Sequence, residues 1–72
     1  MGQFIDQPLL LQIAARVKSL REARGYSQEQ VYFDTGIHVG RIETARLNVT
    51  VSTLGALCRY FEIDMVTFFK ID

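Results

Sequence analysis

Apolar residues in the first third of the chain recur at spacings of three and four, at Leu10, Ile13, Val17 and Leu20. This spacing places them along one side of an α-helix, as in an amphipathic helix that packs against a core. Pro8 suits a first helical position with Asp6 or Gln7 as its cap, and Gly25 suits the position after the last turn. The pattern predicts a first helix over about 8–24 and favours a helical fold for the whole chain.

Helix-starting residues predict four further helices. They cover about Gln28 to Phe33 or Asp34, His38–Ala45, residues 51–61, and a last turn after Asp64. Ser27 and Thr50 are the expected N-caps of two of these helices, and Gly36 supplies a turn. The fourth helix is expected to bury one apolar face, formed by Val51, Leu54, Leu57, Cys58 and Phe61. No alternating strand pattern competes, so we expect an all-α domain of five short helices.

Length and charge restrict what this domain can do. With 72 residues the chain is one domain at most, which we assign to 1–72 with its core at about 9–69. The formal net charge is zero, which argues against strong non-specific attraction to nucleic acid. Residues 1–26 nevertheless carry an excess of basic side chains, at Arg16, Lys18, Arg21 and Arg24. This excess is a weak indication of a polarised surface.

The sequence predicts a cytoplasmic protein. No stretch approaches the ~20 apolar residues that a membrane span needs, and Met1–Asp6 lacks the basic flank of a signal peptide. The single cysteine, Cys58, excludes an internal disulfide and fits a reducing compartment. We expect Cys58 to be a small core residue.

The reactive side chains do not support catalysis. No Ser/His/Asp or Cys/His arrangement has a plausible orienting partner, and no glycine-rich phosphate loop is present. A lone His38 and a distant Cys58 do not supply a metal site. We therefore expect no enzymatic activity, no cofactor and no metal, and no small-molecule effector is evident.

Several short motifs occur in a characteristic order and spacing. They are Leu20–Glu29 (LREARGYSQE), Gly36-Ile37, Arg41-Ile42-Glu43, Thr53-Leu54, Phe61–Asp64 and Phe68-Phe69. Together these motifs cover roughly residues 9–69, and the chain resembles Cro/repressor-like (XRE-type) helix-turn-helix domains. The resemblance implies a compact lambda-repressor-like fold with the helix-turn-helix at helices 2 and 3, and with helix 3 in the major groove of DNA.

The resemblance also implies roles for single residues. The candidate DNA-binding residues are Gln28, His38, Gly40, Arg41, Thr44, Arg46 and Asn48. Gln28 would contact a phosphate, while Arg46 and Asn48 would hold the DNA backbone on the other side. Arg41 is the best candidate for reading a base, because arginine can pair with both O6 and N7 of guanine. Arg21 and Glu43 match a pair that commonly forms a structural salt bridge between helices 1 and 3.

The chain departs from the family pattern in the helix-turn-helix. About three residues are missing between Gly36 and Glu43, which is nearly one helical turn. If the loss falls at the end of helix 2, Thr35 caps the recognition helix; if it falls at the start of helix 3, His38 does. Relatives usually have alanine where this chain has Tyr32, and Tyr32 with Phe33 could fill the space left by the lost turn.

The function predicted from these residues is that of a transcriptional regulator that binds double-stranded DNA. A homodimer is expected, because a neutral chain with a short recognition helix makes few contacts per copy. The alternative is a protein-interaction module with the same fold, such as an antitoxin or an adaptor. Apolar residues near both ends of the chain support this alternative, at Phe4, Leu9, Leu11, Met65 and Phe69.

Overall fold

A computed structural model describes residues 4–70 of the chain. The described residues form α1 (Gln7–Ala23), α2 (Gln28–Thr35), α3 (Val39–Ile42), α4 (Val51–Tyr60) and α5 (Met65–Phe68). No strand occurs among them, so the prediction of an all-α domain with five helices is confirmed. The domain assignment also included 1–3 and 71–72, which lie outside the described residues.

Side chains that lie just before the helices satisfy the free backbone N–H groups of their first turns. The oxygens of Asp6, Ser27, Thr50 and Asp64 accept hydrogen bonds from the N–H three residues later, at 2.7–3.1 Å. Such caps typically stabilise a helix by about 1 kcal/mol each. At the other end of α2, Gly36 adopts the left-handed conformation at φ 76°, which lets its N–H reach the carbonyl of Tyr32.

The core lies where all five helices meet. Its fully buried side chains are Val17, Val31, Val39, Leu57, Phe61 and Phe68. Cys58 is buried on α4, where burial raises the pKa of its thiol, with the nearby charge of Asp64 adding to the effect. The expectation that Val51 is part of the buried face of α4 is wrong: its side chain is 77% exposed, because it lines an open groove and does not reach the packed core.

The missing turn falls at the start of the third helix. The second helix continues through Thr35, whose hydroxyl bonds the carbonyl of Val31 and accepts from the N–H of Ile37, and so does not cap α3. His38 occupies the N-cap position of α3 but makes no capping hydrogen bond through its side chain. The predicted helix over His38–Ala45 is therefore too long, because the backbone leaves the helix after Ile42 and Ala45 turns to φ 59°.

Two arginines of the basic N-terminal third bind backbone carbonyls at the ends of other helices. Arg16 donates to the carbonyls of Phe68 and Thr67, at 2.9 and 3.0 Å, and Arg24 donates to the carbonyl of Phe61. A cation is stabilising there, because the C-terminal carbonyls carry partial negative charge. These guanidinium groups thus fasten α4 and α5 to α1. No helix within residues 4–70 is long and apolar enough to cross a membrane.

Candidate nucleic-acid interface

The turn between α2 and α3 is held by an aromatic stack. The rings of Tyr32 and His38 lie 4.2 Å apart between centroids, at an interplanar angle of 23°. Tyr32 thus packs against the N-cap residue of the shortened helix α3. Phe33 does not help to fill the space left by the lost turn, contrary to expectation, because its side chain is 86% exposed.

The third helix presents one polar side to solvent. Val39 is fully buried and Ile42 packs against the core, which fixes the inner side of α3. Arg41 lies between them in sequence and is exposed. Gly36 and Ile37 lie outside the helix, in the turn before it. Among the residues of α3 itself, Arg41 is the charged side chain available to a ligand.

A hydrogen-bonded chain of three side chains links α1, the end of α3 and the start of α2. Arg21 donates to both carboxylate oxygens of Glu43, from Nε to Oε2 at 2.8 Å and from Nη2 to Oε1 at 3.0 Å. The bond to Glu43 is the main reason why the pKa of Arg21 is raised. Gln28 donates from Nε2 to the same Oε1 at 3.1 Å. The carboxylate is thus neutralised by Arg21 while it orients the amide of Gln28.

Gly40 lies directly beneath the end of the Gln28 side chain. A Cβ atom at Gly40 would lie 3.0 Å from Oε1 of Gln28 and 3.5 Å from its Cδ. That spacing is closer than ordinary van der Waals contact, so the absence of a side chain at Gly40 is what gives Gln28 its place. Gly40 is one of the candidate DNA-binding residues, and the side chain that lies over it in the free protein is that of Gln28.

The segment after α3 carries the remaining candidates. Thr44, Arg46 and Asn48 are all exposed. The hydroxyl of Thr44 donates its one hydrogen to the carbonyl of Arg41 at 2.6 Å, which leaves it only acceptor capacity. Asn48 uses one N–H to bind the carbonyl of Phe4 at 3.0 Å and retains a second.

The N-terminal segment packs against this loop. Besides the bond from Asn48 to Phe4, Gln7 donates from Nε2 to the carbonyl of Ala45 at 3.0 Å. The loop therefore has a fixed position relative to α1. The sequence reasoning missed this contact, and no local signal marks it, because the partners lie 38 and 44 residues apart.

Two exposed arginines, Arg41 and Arg46, supply the positive charge of the candidate surface. Glu43 adds little repulsion toward an anion, since Arg21 pairs with it at a site where the side chains are only 11% and 7% exposed. No group of three His, Cys, Asp or Glu side chains within residues 4–70 could hold a metal ion. The arrangement suits binding to an extended polyanion at a few points.

A second feature lies away from the helix-turn-helix. An apolar groove of about 380 Å³ runs between α1, α4 and α5. Its lining includes Leu9, Ile13, Val51, Met65 and Phe69. Val51 and Phe69 leave 77% and 39% of their surface exposed there.

Comparison with known proteins identifies a family that fits this geometry. A family model described as a helix-turn-helix domain matches residues 12–66, which extend from within α1 to the first residues of α5. No curated protein and no solved structure matches the chain. The match confirms the resemblance that the sequence motifs indicated.

Proposed function

We propose that this chain, which belongs to the helix-turn-helix domain family, binds double-stranded DNA sequence-specifically as a small transcriptional regulator. The observation that carries the proposal is the exposed Arg41 on the outer side of α3, with Gln28 and Arg46 on flanking elements. In a helix-turn-helix the second helix enters the major groove and flanking residues bind phosphates. The guanidinium of Arg41 would donate two hydrogen bonds to a base, while Gln28 and Arg46 would each donate to a phosphate of the DNA backbone.

The shortened recognition helix limits the number of bases that one copy can read. Only Arg41 offers a bidentate donor within α3, and Gly36 and Ile37 offer no side-chain hydrogen bond at the preceding positions. The exposed His38, at the N-cap of α3, adds one imidazole ring. We infer that a single copy specifies very few base pairs and that Arg41 pairs with a guanine through O6 and N7.

Two copies on a two-fold operator would double these contacts. A helix-turn-helix dimer places its recognition helices about 34 Å apart, one turn of DNA, so that both enter the same face of the duplex. The apolar groove between α1, α4 and α5 is the surface that we assign to the dimer contact. The protein would act in the cytoplasm, in keeping with the reduced thiol expected of its single Cys58.

Selection from a random duplex library tests this proposal. The purified protein is incubated with the library at low salt, and the bound duplexes are sequenced over several rounds. We expect enrichment of a short motif that contains guanine and repeats with two-fold symmetry at a spacing of one DNA turn. The Arg41→Ala variant provides the control, and its selected motif should lose the guanine. No enrichment at low salt would overturn the proposal.

The apolar groove also favours a second candidate, a protein-interaction module built on the same fold. Exposed Val51 and Phe69 in the groove and exposed Phe33 on α2 are apolar surfaces that DNA binding does not require. An antitoxin or adaptor would bind its partner through such surfaces. Tight binding to a protein partner, combined with no shift of mixed-sequence DNA at low salt, would favour this function over the first.

A further inference from the structure

The amide of Gln28 is held in a defined orientation before any ligand arrives. Its Nε2 donates to Oε1 of Glu43 at 3.1 Å, and its Oε1 lies over Gly40. An ionised carboxylate only accepts hydrogen bonds, so the nitrogen of the amide, and not its oxygen, must face Glu43. The hydrogen-bond partner therefore identifies which atom of this amide is the nitrogen and which is the oxygen.

This orientation leaves a donor for an anion. The Nε2 atom carries two hydrogens, and the bond to Glu43 uses one of them. A phosphate oxygen can accept the other. A free glutamine on a surface would have to give up rotational freedom in three side-chain bonds when it binds phosphate, whereas Gln28 has given up that freedom on folding.

A carboxylate close to a phosphate would normally repel it. Here Glu43 receives two hydrogen bonds from the guanidinium of Arg21, at 2.8 and 3.0 Å, so the charge beneath Gln28 is balanced. Arg21 and Glu43 can therefore support an anion-binding side chain without opposing the anion. The lack of a side chain at Gly40 completes this site, because a Cβ atom there would require the end of Gln28 to shift.

We infer that Gly40 and Glu43 are positioning residues that pre-orient Gln28 for a phosphate of the DNA backbone. The inference rests on the proposed DNA-binding function and assigns Gly40 a role within the protein, not a contact with DNA. It follows that a substitution at Gly40 changes the DNA affinity only through its effect on Gln28.

The decisive substitution is Gly40→Ala. The added methyl group meets the end of a flexible side chain at 3.0 Å, so Gln28 moves and the backbone does not. Alanine also favours a helix over glycine, so the melting temperature should stay equal or rise. Gly55→Ala is a matched control within α4, because a Cβ atom there meets no atom within 4 Å.

The experiment is a double-mutant cycle measured by DNA-binding titration. Gln28→Ala should weaken binding about tenfold to a hundredfold, the effect of one hydrogen bond to a charged phosphate. Gly40→Ala should weaken binding by a similar factor in the parent protein and should have no effect in the Gln28→Ala background. Gly55→Ala should leave the affinity unchanged in both backgrounds.

Two other outcomes of the double-mutant cycle would each contradict the inference. An equal loss from Gly40→Ala in both backgrounds means that Gly40 contacts DNA directly. An unchanged affinity means that phosphate binding by Gln28 does not depend on Gly40. NMR of the free protein tests the geometry without DNA: nuclear Overhauser contacts between the side-chain amide of Gln28 and the α protons of Gly40 should be present in the parent and weaker in Gly40→Ala. Their absence in the parent overturns the inference. A parent protein that binds no duplex overturns the proposed function itself.

Discussion

Arg21 and Glu43 form a two-pronged ion pair that joins the last turn of α1 to the residue that ends α3, with both side chains largely buried. A third donor bond runs from Nη1 of Arg21 to the carbonyl of Tyr26 at 2.8 Å, in the link between α1 and α2. One guanidinium thus connects α1 to the end of α3 and to the link that leads into α2.

Loss of this pair should destabilise the fold. In the Glu43→Ala variant the Arg21 charge stays buried with one backbone carbonyl as its remaining partner, and we expect a loss of ~3 kcal/mol in the free energy of unfolding. Denaturant titration measures it. Glu62→Ala is the control, since the Arg24–Glu62 pair spans 3.7 Å at a site where Glu62 is 79% exposed, and it should cost less than ~1 kcal/mol. Equal stability of the parent and Glu43→Ala proteins would contradict this prediction.

Substitution of Arg41 should separate specificity from affinity. If Arg41 binds the edge of a guanine, Arg41→Ala costs ~1–3 kcal/mol on the selected duplex and relaxes the preference at one base pair per half-site. Arg46→Ala should weaken all sequences alike and flatten the salt dependence by about one unit of slope, because it removes a charge that binds phosphate.

The measurement for these variants is a binding titration on selected and scrambled duplexes at several salt concentrations. Arg59→Ala is the charge-matched control, since Arg59 is exposed on α4 outside the candidate surface. If Arg41→Ala weakens both duplexes equally, Arg41 is a phosphate contact and does not read a base.

The apolar groove makes a prediction about oligomeric state. Val51 and Val66 are both 77% exposed, but only Val51 lines the groove between α1, α4 and α5. We expect Val51→Lys to sediment as a monomer at micromolar concentration where the parent is a dimer, because the charge would have to be desolvated at the contact. Val66→Lys should remain a dimer. A parent protein that sediments as a monomer, both free and on DNA, would rule out the dimer.

Stability at high pH should depend on a contact between α2 and α4. The hydroxyl of Tyr60 donates to Oδ2 of Asp34 at 2.6 Å, and burial together with this bond raises the pKa of Tyr60 to about 12. Since this pKa exceeds the ordinary value of 10.0, the stabilisation is complete below pH 10 and is lost as the pH rises toward 12.

At low pH the stability contribution of this contact changes with pH in the opposite direction. The bonds from Tyr60 and Gln30 lower the pKa of Asp34, so its contribution is present above the ordinary carboxyl pKa and is lost as the pH falls through the lowered one. Denaturant titrations across the pH range should show both losses in the parent. Tyr60→Phe should remove the alkaline loss and reduce the acid loss; a Tyr60→Phe protein with the same alkaline loss as the parent would show that other groups cause it.

Much of the helix-turn-helix could be predicted from local sequence patterns, but some contacts between α2 and α3 could not. The motif around Arg21 and Glu43 indicated their pairing through a family resemblance, and the two side chains do meet. The packing of the Gln28 side chain over Gly40 could not be predicted, because it depends on the distance between α2 and α3 and no local pattern encodes that distance. The stack of Tyr32 on His38 has the same origin.

The sequence by itself determined the five helices, because capping bonds reach only three residues and the apolar spacing of a helix is a local property. Only the tertiary structure decided three other features. It placed the lost turn at the start of α3, left Val51 exposed, and turned Arg16 and Arg24 toward helix ends more than 35 residues away. For Arg16 and Arg24 the deciding partners are distant in the chain, and they reach their positions only when the helices pack together.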